Sequence, residues 1–204
     1  PIQEEQNEEQ LERLRKIASP FLLRRLKSDP TIAPDLPDKE VLKVICSLGA
    51  KQAQLYRKIL AEAEQNLAEA KGMSRRGLIL ATLTKLKQVC AHPSLVDDSW
   101  AAKRAESGKL ERLEELIDEM VENGGKSSVF TQLIDMGKNL RPTLADRLGK
   151  PVLFYHGGLT RTDRDALIER FRAEENIPVL ILSLRAGGTG LNLTAASHVF
   201  HYDR

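Results

Sequence analysis

Cysteine is scarce in this chain of 204 residues: Cys46 and Cys90 stand far apart, with no CxxC and no Cys/His ligand spacing around them. A metal site of the usual spacings is therefore not expected, and two lone thiols suit a reducing cytosol. No apolar run approaches the ~18 residues of a membrane-spanning helix, and no signal peptide opens the sequence, so a soluble intracellular protein is expected. Net charge is only +2, too little to identify a nucleic-acid partner unless the cations gather in one patch. Basic clusters do occur at Arg13/Arg15/Lys16, Arg24/Arg25/Lys27, Arg75/Arg76 and Lys85/Lys87, each compatible with a solvated helix face. Catalytic signatures are missing too. There is no GxxxxGK[ST] phosphate loop, no acidic pair after a strand to hold magnesium, and no Ser/His/Asp set.

What remains is ordinary globular composition, 41% hydrophobic and 29% charged, long enough for one good-sized domain or two small ones. Residues 4 to 18 carry Leu11, Leu14 and Ile17 at helical spacing, with Glu9/Arg13 and Glu12/Lys16 set to pair, and Pro20 should end that helix. Pro20, Pro30, Pro34 and Pro37 mark a connector in which Val41–Ile45 reads as a strand. Helical patterns return at about 50 to 70 and 77 to 91, separated by Gly72 and Arg75-Arg76-Gly77, which suggests a helical hairpin with a basic turn. From Ser107, a predicted N-cap, helices and strands alternate. Strands are expected at Ser127–Phe130, Pro151–Tyr155, Pro178–Leu182 and His198–Tyr202, with Pro142 kinking or restarting one intervening helix and Thr160/Asp163 capping another. This alternation implies an α/β fold with a parallel sheet covered by helices.

Val179-Leu180-Ile181-Leu182 has no polar alternation and reads as a strand buried on both faces. Gly187, Gly188 and Gly190 follow it closely, giving backbone N–H groups close access to a ligand. In a parallel sheet, Thr131-Gln132, His156-Gly157-Gly158, Ser183 to Gly190 and Tyr202-Asp203-Arg204 would all lie at the C-terminal ends of strands, where ligands bind. The glycine loop alone is a weak signal, lacking both the phosphate-loop lysine and the GxGxxG spacing.

Taken in order, these pieces resemble the C-terminal half of the motor of Swi/Snf-family DNA-dependent ATPases, members of helicase superfamily two. The resemblance runs through Pro20-Phe-Leu-Leu-Arg-Arg-Leu-Lys27, Leu36-Pro-Asp-Lys-Glu40, Leu86-Lys-Gln-Val-Cys-Ala-His-Pro93, Ser107-Gly-Lys-Leu110 and Val129-Phe-Thr-Gln132. It continues through His156-Gly-Gly158 with Arg164 and Phe171, then Leu182 to Leu193, then Tyr202-Asp203. The wording of Arg75 to Ala81 is similar to bacterial and archaeal members.

The resemblance implies a RecA-like second lobe at 106–204, truncated at its C-terminal end, with a connector and α-helical protrusion at 29–105 and the tail of the first lobe at 1–28. It implies ATP with magnesium, shared with the first RecA-like lobe of the same polypeptide, and the backbone of double-stranded DNA as partner. Arg185, Gly187, Gly188, Gly190 and Asn192 would face the nucleotide; Thr131, Gln132, Gly158, Arg161 and Ser183 would contact phosphates of the tracked strand. Arg24 and Arg25 would serve a hinge between lobes. No catalytic set is complete and no metal ligand is assigned, so the chain alone is expected not to hydrolyse ATP. A cytoplasmic, nucleoid-associated prokaryotic setting follows from the same likeness. Two other readings stay open: a non-catalytic DNA- or protein-binding module on this fold, and a Rossmann-like small-nucleotide enzyme with His156 and Asp203 as its acid/base candidates.

Overall fold

The computed structural model describes residues 8–22, 40–100, 107–187 and 191–203. The chain divides into two compact units, Pro1–Val44 and Ile45–Arg204. Arg24, Arg25, Gly188 and Gly190 lie outside the described residues.

In the first unit, helix α1 (Glu8–Ala18) opens on Glu8 and Glu9 and closes on Arg15 and Lys16, the charge order that complements the helix dipole. Pro20 does not simply stop it. It sits at the start of a 3-10 turn, Ser19–Phe21, where a missing N–H costs nothing. The expected strand at Val41–Ile45 is absent: residues 40–49 form no ladder, and Leu42 and Ile45 stand 84% and 88% exposed. Strand propensity reflects a fit to a half-buried pleated surface, and a stretch this exposed has no such surface.

In the second unit, α2 (Ala50–Glu69) and α3 (Gly72–Ala91) form the helical hairpin. The turn is shorter than the sequence suggests, because Arg75-Arg76-Gly77 continues α3 and only the region of Gly72, with φ of +59°, breaks the helices. A single interior glycine costs only about 1 kcal/mol, which the packed hairpin absorbs. Gln52, buried on α2, donates from Nε2 to the Val89 carbonyl on α3 at 2.6 Å and clamps the pair.

Helix α4 (Gly108–Glu122) begins where Ser107 caps it, its Oγ accepting from the Leu110 N–H. Then come β1 (Ser127–Thr131), α5 (Ile134–Leu148), β2 (Val152–Tyr155), α6 (Arg161–Ala173), β3 (Val179–Ser183), the short α7 (Leu184–Gly187) and β4 (His198–His201). α5 runs unbroken through Pro142, which lies on the exposed side where water can satisfy the carbonyl it frees. Thr160 caps α6 as expected, accepting from the Asp163 N–H.

The four strands are all parallel in the order β2-β3-β1-β4. Side chains alternate between two cores. Val129, Val152, Phe154, Val179 and Ile181 point to the layer shared with α4 and α5, where Leu113, Ile117, Met136, Leu140 and Leu144 are buried. Leu153, Tyr155, Leu180 and Leu182 point to the opposite layer with Phe171 of α6. The all-apolar run of β3 is thus explained by burial on both faces. Gly137 lets α5 lie directly on the sheet, since a Cβ there would overlap the Phe154 ring.

Candidate functional site at the C-terminal edge of the sheet

The ladder register sets Thr131 beside Ser183, Phe130 beside both Leu182 and His201, and Tyr155 beside Leu182. The loops after all four strands therefore emerge side by side. From the two central strands the chain then diverges: after β1 it joins the layer of α5, whereas Ala186, Leu191, Leu193 and Ala195 after β3 pack in the opposite layer. Adjacent strands whose connections part to opposite faces create a crevice at the carboxyl edge, the place where open α/β sheets bind ligands.

The loop after β1 is held from a distance of 71 to 72 residues in sequence. Asp203, just beyond β4 and 4% exposed, accepts from Thr131 Oγ1 at 2.6 Å and from the Gln132 N–H at 2.7 Å. Charge-assisted contacts of this length are the stronger kind of hydrogen bond. Thr131 is fully buried and its hydroxyl points inward to Asp203, not outward as a phosphate contact would require. Gln132 is exposed, and its Oε1 accepts from Lys87 Nζ of α3 at 2.5 Å.

Tyr202, the neighbour of Asp203, is buried and donates its hydroxyl to the Ala91 carbonyl at the end of α3, 2.7 Å away. Burial pushes its phenol pKa well above the ordinary value. Ser107 Oγ donates to the same carbonyl at 3.1 Å, and Asn139 of α5 donates to Ser94 Oγ at 3.1 Å. The final turn of the hairpin is thereby fastened to the sheet edge.

After β2, the Gly158 N–H donates to His156 Nδ1 at 3.1 Å, so that nitrogen serves as an acceptor. A Cβ on Gly158 would stand 3.1 Å from the same ring. Arg164 donates from Nε to the Leu159 carbonyl at 3.1 Å and lies over the Tyr155 ring, whereas Arg161 extends into solvent with its side chain 95% exposed. Among the described residues Arg161 pairs with Asp165 alone, at 4.0 Å, an exposed i,i+4 pair of little worth.

After β3, Ser183 is buried and Arg185 exposed. Gly187 packs tightly: a Cβ would meet Leu182 Cδ2 and Phe130 Cε1, both at 3.2 Å, so the missing side chain lets α7 fold back over β3 and β1. Asn192 is exposed on the returning segment. The edge thus gathers Gln132, Gly158, Arg161, Arg185 and Asn192 as accessible groups, with Thr131 and Ser183 beneath them.

Sequence reading missed Lys87 as a member of this edge and gave Asp203 no structural part. The Tyr202-Asp203 pair was visible, but nothing local shows what either side chain holds.

The comparisons with known proteins agree with this geometry. Residues 1–95 match the SNF2-related domain, and residues 108–204 match the helicase conserved C-terminal domain. YwqA of Bacillus subtilis is 42% identical over 206 residues, covering 100% of this chain and 22% of that protein. The chain spans only about a fifth of the curated relatives it matches, 19% in the case of the ATP-dependent helicase MG018 of Mycoplasma genitalium. Among solved structures, the SWI2/SNF2 ATPase C-terminal domain of Sulfolobus solfataricus is 38% identical with a TM-score of 0.73, covering 79% of this chain and 70% of that one. The ATPase core from the same organism in complex with double-stranded DNA is 39% identical with a TM-score of 0.77, covering 95% of this chain and 41% of that one. With a parallel α/β lobe, polar loops converging on one edge, and this identity over most of a solved C-terminal domain, the chain belongs to the SWI2/SNF2 family of ATPases.

Proposed function

We propose that this chain is the second lobe of a double-stranded-DNA translocase motor, supplying half of an ATP cleft and part of the grip on the DNA backbone. The observation that carries the reading is the convergence of all four strand ends on one edge, split by the crevice between β1 and β3. The DNA-bound state of the similar Sulfolobus core supports duplex DNA as the partner.

The edge suits a nucleotide better than it suits a metal. Arg185 offers an accessible cation, and Asn192, exposed on the segment that returns to β4, offers an amide. Asp203, among the described residues the buried carboxylate at the edge, has both oxygens committed to Thr131 and Gln132. Magnesium ligands would therefore come from the first lobe, and ATP hydrolysis would supply the free energy that opens and closes the two lobes. Arg185, Gly187 and Asn192 would line this lobe's side of the cleft; Gly188 and Gly190, outside the described residues, join them on the sequence likeness alone.

Gln132 and Arg161 present amide and guanidinium donors to phosphates, and Gly158, its own N–H held by His156 Nδ1 and its position free of a side chain, leaves room for the strand beside them; such contacts position the lobe on DNA without reading sequence. Thr131 and Ser183 shape that surface from below. With about 3–5 such contacts, log affinity falls with log salt at a slope of about −2.7 to −4.5. Each closure would advance this grip along one strand, and the 204-residue chain alone would be inactive on ATP.

Two variants of the full-length protein separate the roles. Arg161→Ala should weaken duplex binding and leave KM for ATP unchanged, whereas Arg185→Ala should raise KM for ATP or lower kcat at saturating DNA. The reverse split would overturn the assignment.

A further inference from the structure

We propose that Lys87, on the helical hairpin and not on the RecA-like lobe, is a phosphate-contacting residue of the DNA interface, working beside Gln132. The inference rests on the DNA-edge reading above and extends it to a second structural element.

The ammonium of Lys87 reaches the sheet edge through Gln132, to which it donates at 2.5 Å. Lysine carries three donors, so one bond to an amide oxygen leaves two for another ligand. Among the described residues, no ion pair joins Lys87 to a carboxylate, whereas Lys58 and Lys138 are paired with Glu62 and Asp135. Hydrogen-bonded to a neutral amide and paired with no carboxylate, the ammonium keeps its whole charge for an incoming anion.

Its position is also fixed. Ala91, one helical turn along on the same face of α3, has its carbonyl held by both Tyr202 and Ser107. Val89 is clamped by Gln52, and Ser94 by Asn139. These contacts hold the α3 backbone that carries Lys87 beside the edge. Gln132 is fixed in turn from beneath, its N–H held by Asp203. Amide and ammonium thus form one preorganised donor pair, assembled from α3 and from the loop after β1.

The ligand chemistry is a phosphodiester at the C-terminal edge of the sheet. Binding there would couple the hairpin to the same strand that the lobe grips, so hairpin and lobe would move on DNA as one body.

The test is duplex-DNA affinity of the full-length protein, measured by fluorescence anisotropy across a salt series, for Lys87→Gln, Lys87→Arg and Arg161→Gln. Loss of one phosphate contact should lower the salt slope by about 0.9 and weaken binding about 5–10-fold near ~0.1 M salt. Lys87→Gln should do both, and Lys87→Arg should keep the slope. An unchanged slope in Lys87→Gln, with a lowered slope in Arg161→Gln, overturns this inference and spares the edge reading. An unchanged slope in both overturns the edge reading itself. Equal slope loss in Lys87→Gln and Lys87→Arg would show that charge is not what matters, which also overturns the proposal.

Discussion

Replacing Asp203 by alanine should loosen the loop after β1 and cost about 2–3 kcal/mol, by the following reasoning. The carboxylate accepts two hydrogen bonds, from Thr131 Oγ1 at 2.6 Å and Gln132 N at 2.7 Å. Each bond to a charged group is worth about 1.5–3 kcal/mol, so the gross loss is about 3–6 kcal/mol. Part is recovered, because the Thr131 hydroxyl already has the Leu133 carbonyl at 3.3 Å as a second acceptor. The Gln132 amide, in a part-buried loop, can also find water. Asp203→Asn should cost only about 1 kcal/mol: its oxygen keeps the Gln132 bond, and Thr131 can accept from the new amide. Thr131→Val leaves one carboxylate oxygen without its donor, but Thr131→Val combined with Asp203→Ala removes both partners of that bond. The double variant should therefore fall about 1–2 kcal/mol short of the summed single losses. Urea unfolding followed by circular dichroism reads this as a midpoint about 0.7–3 M lower for Asp203→Ala, given a slope of ~1–3 kcal/mol/M. Strict additivity, or an unmoved midpoint in Asp203→Ala, would refute the latch.

Two further outcomes follow from the packing. Of the three tyrosines, Tyr202 should ionise last in an ultraviolet absorbance titration, and Tyr202→Phe should remove that resistant fraction. Because its folded-state pKa lies above the unfolded value near ~10, the folded form holds its proton longer and stability falls as pH rises from there toward the raised value. Gly137→Val should lower stability by about 1–3 kcal/mol through overlap with the Phe154 ring, read as ~2–4 °C of melting temperature per kcal/mol. Partial rescue by Phe154→Leu in the double variant would confirm that the ring is the obstacle, and no loss in Gly137→Val would show that α5 does not rest on it.

What could be read from the sequence was what is periodic or local. The apolar run at Val179–Leu182, the Ser107 and Thr160 caps, and the polar residues closing each strand all express short-range rules, and the parallel sheet places them as expected. Misreadings arose where a local signal met a tertiary one. Gly77 and Pro142 look like breakers, yet each sits in a helix whose packing outweighs a local cost of ~1–3 kcal/mol. Val41–Ile45 has strand composition but stands exposed and forms no ladder.

The site was half legible for a related reason. Gln132, Gly158 and Arg161 follow strands and announce themselves by position. The orientation of Thr131 depends on Asp203, 72 residues away, and Lys87 reaches the edge from 45 residues upstream. Such separations leave no periodic trace in one sequence.

The central claim is that this edge is half of an active site. It is tested most directly by ATP turnover of the 204-residue chain alone and of the full-length protein, each with and without duplex DNA. DNA-stimulated turnover is expected from the full-length protein and none from the chain alone. ATP hydrolysis by the isolated chain, with or without DNA, would contradict it.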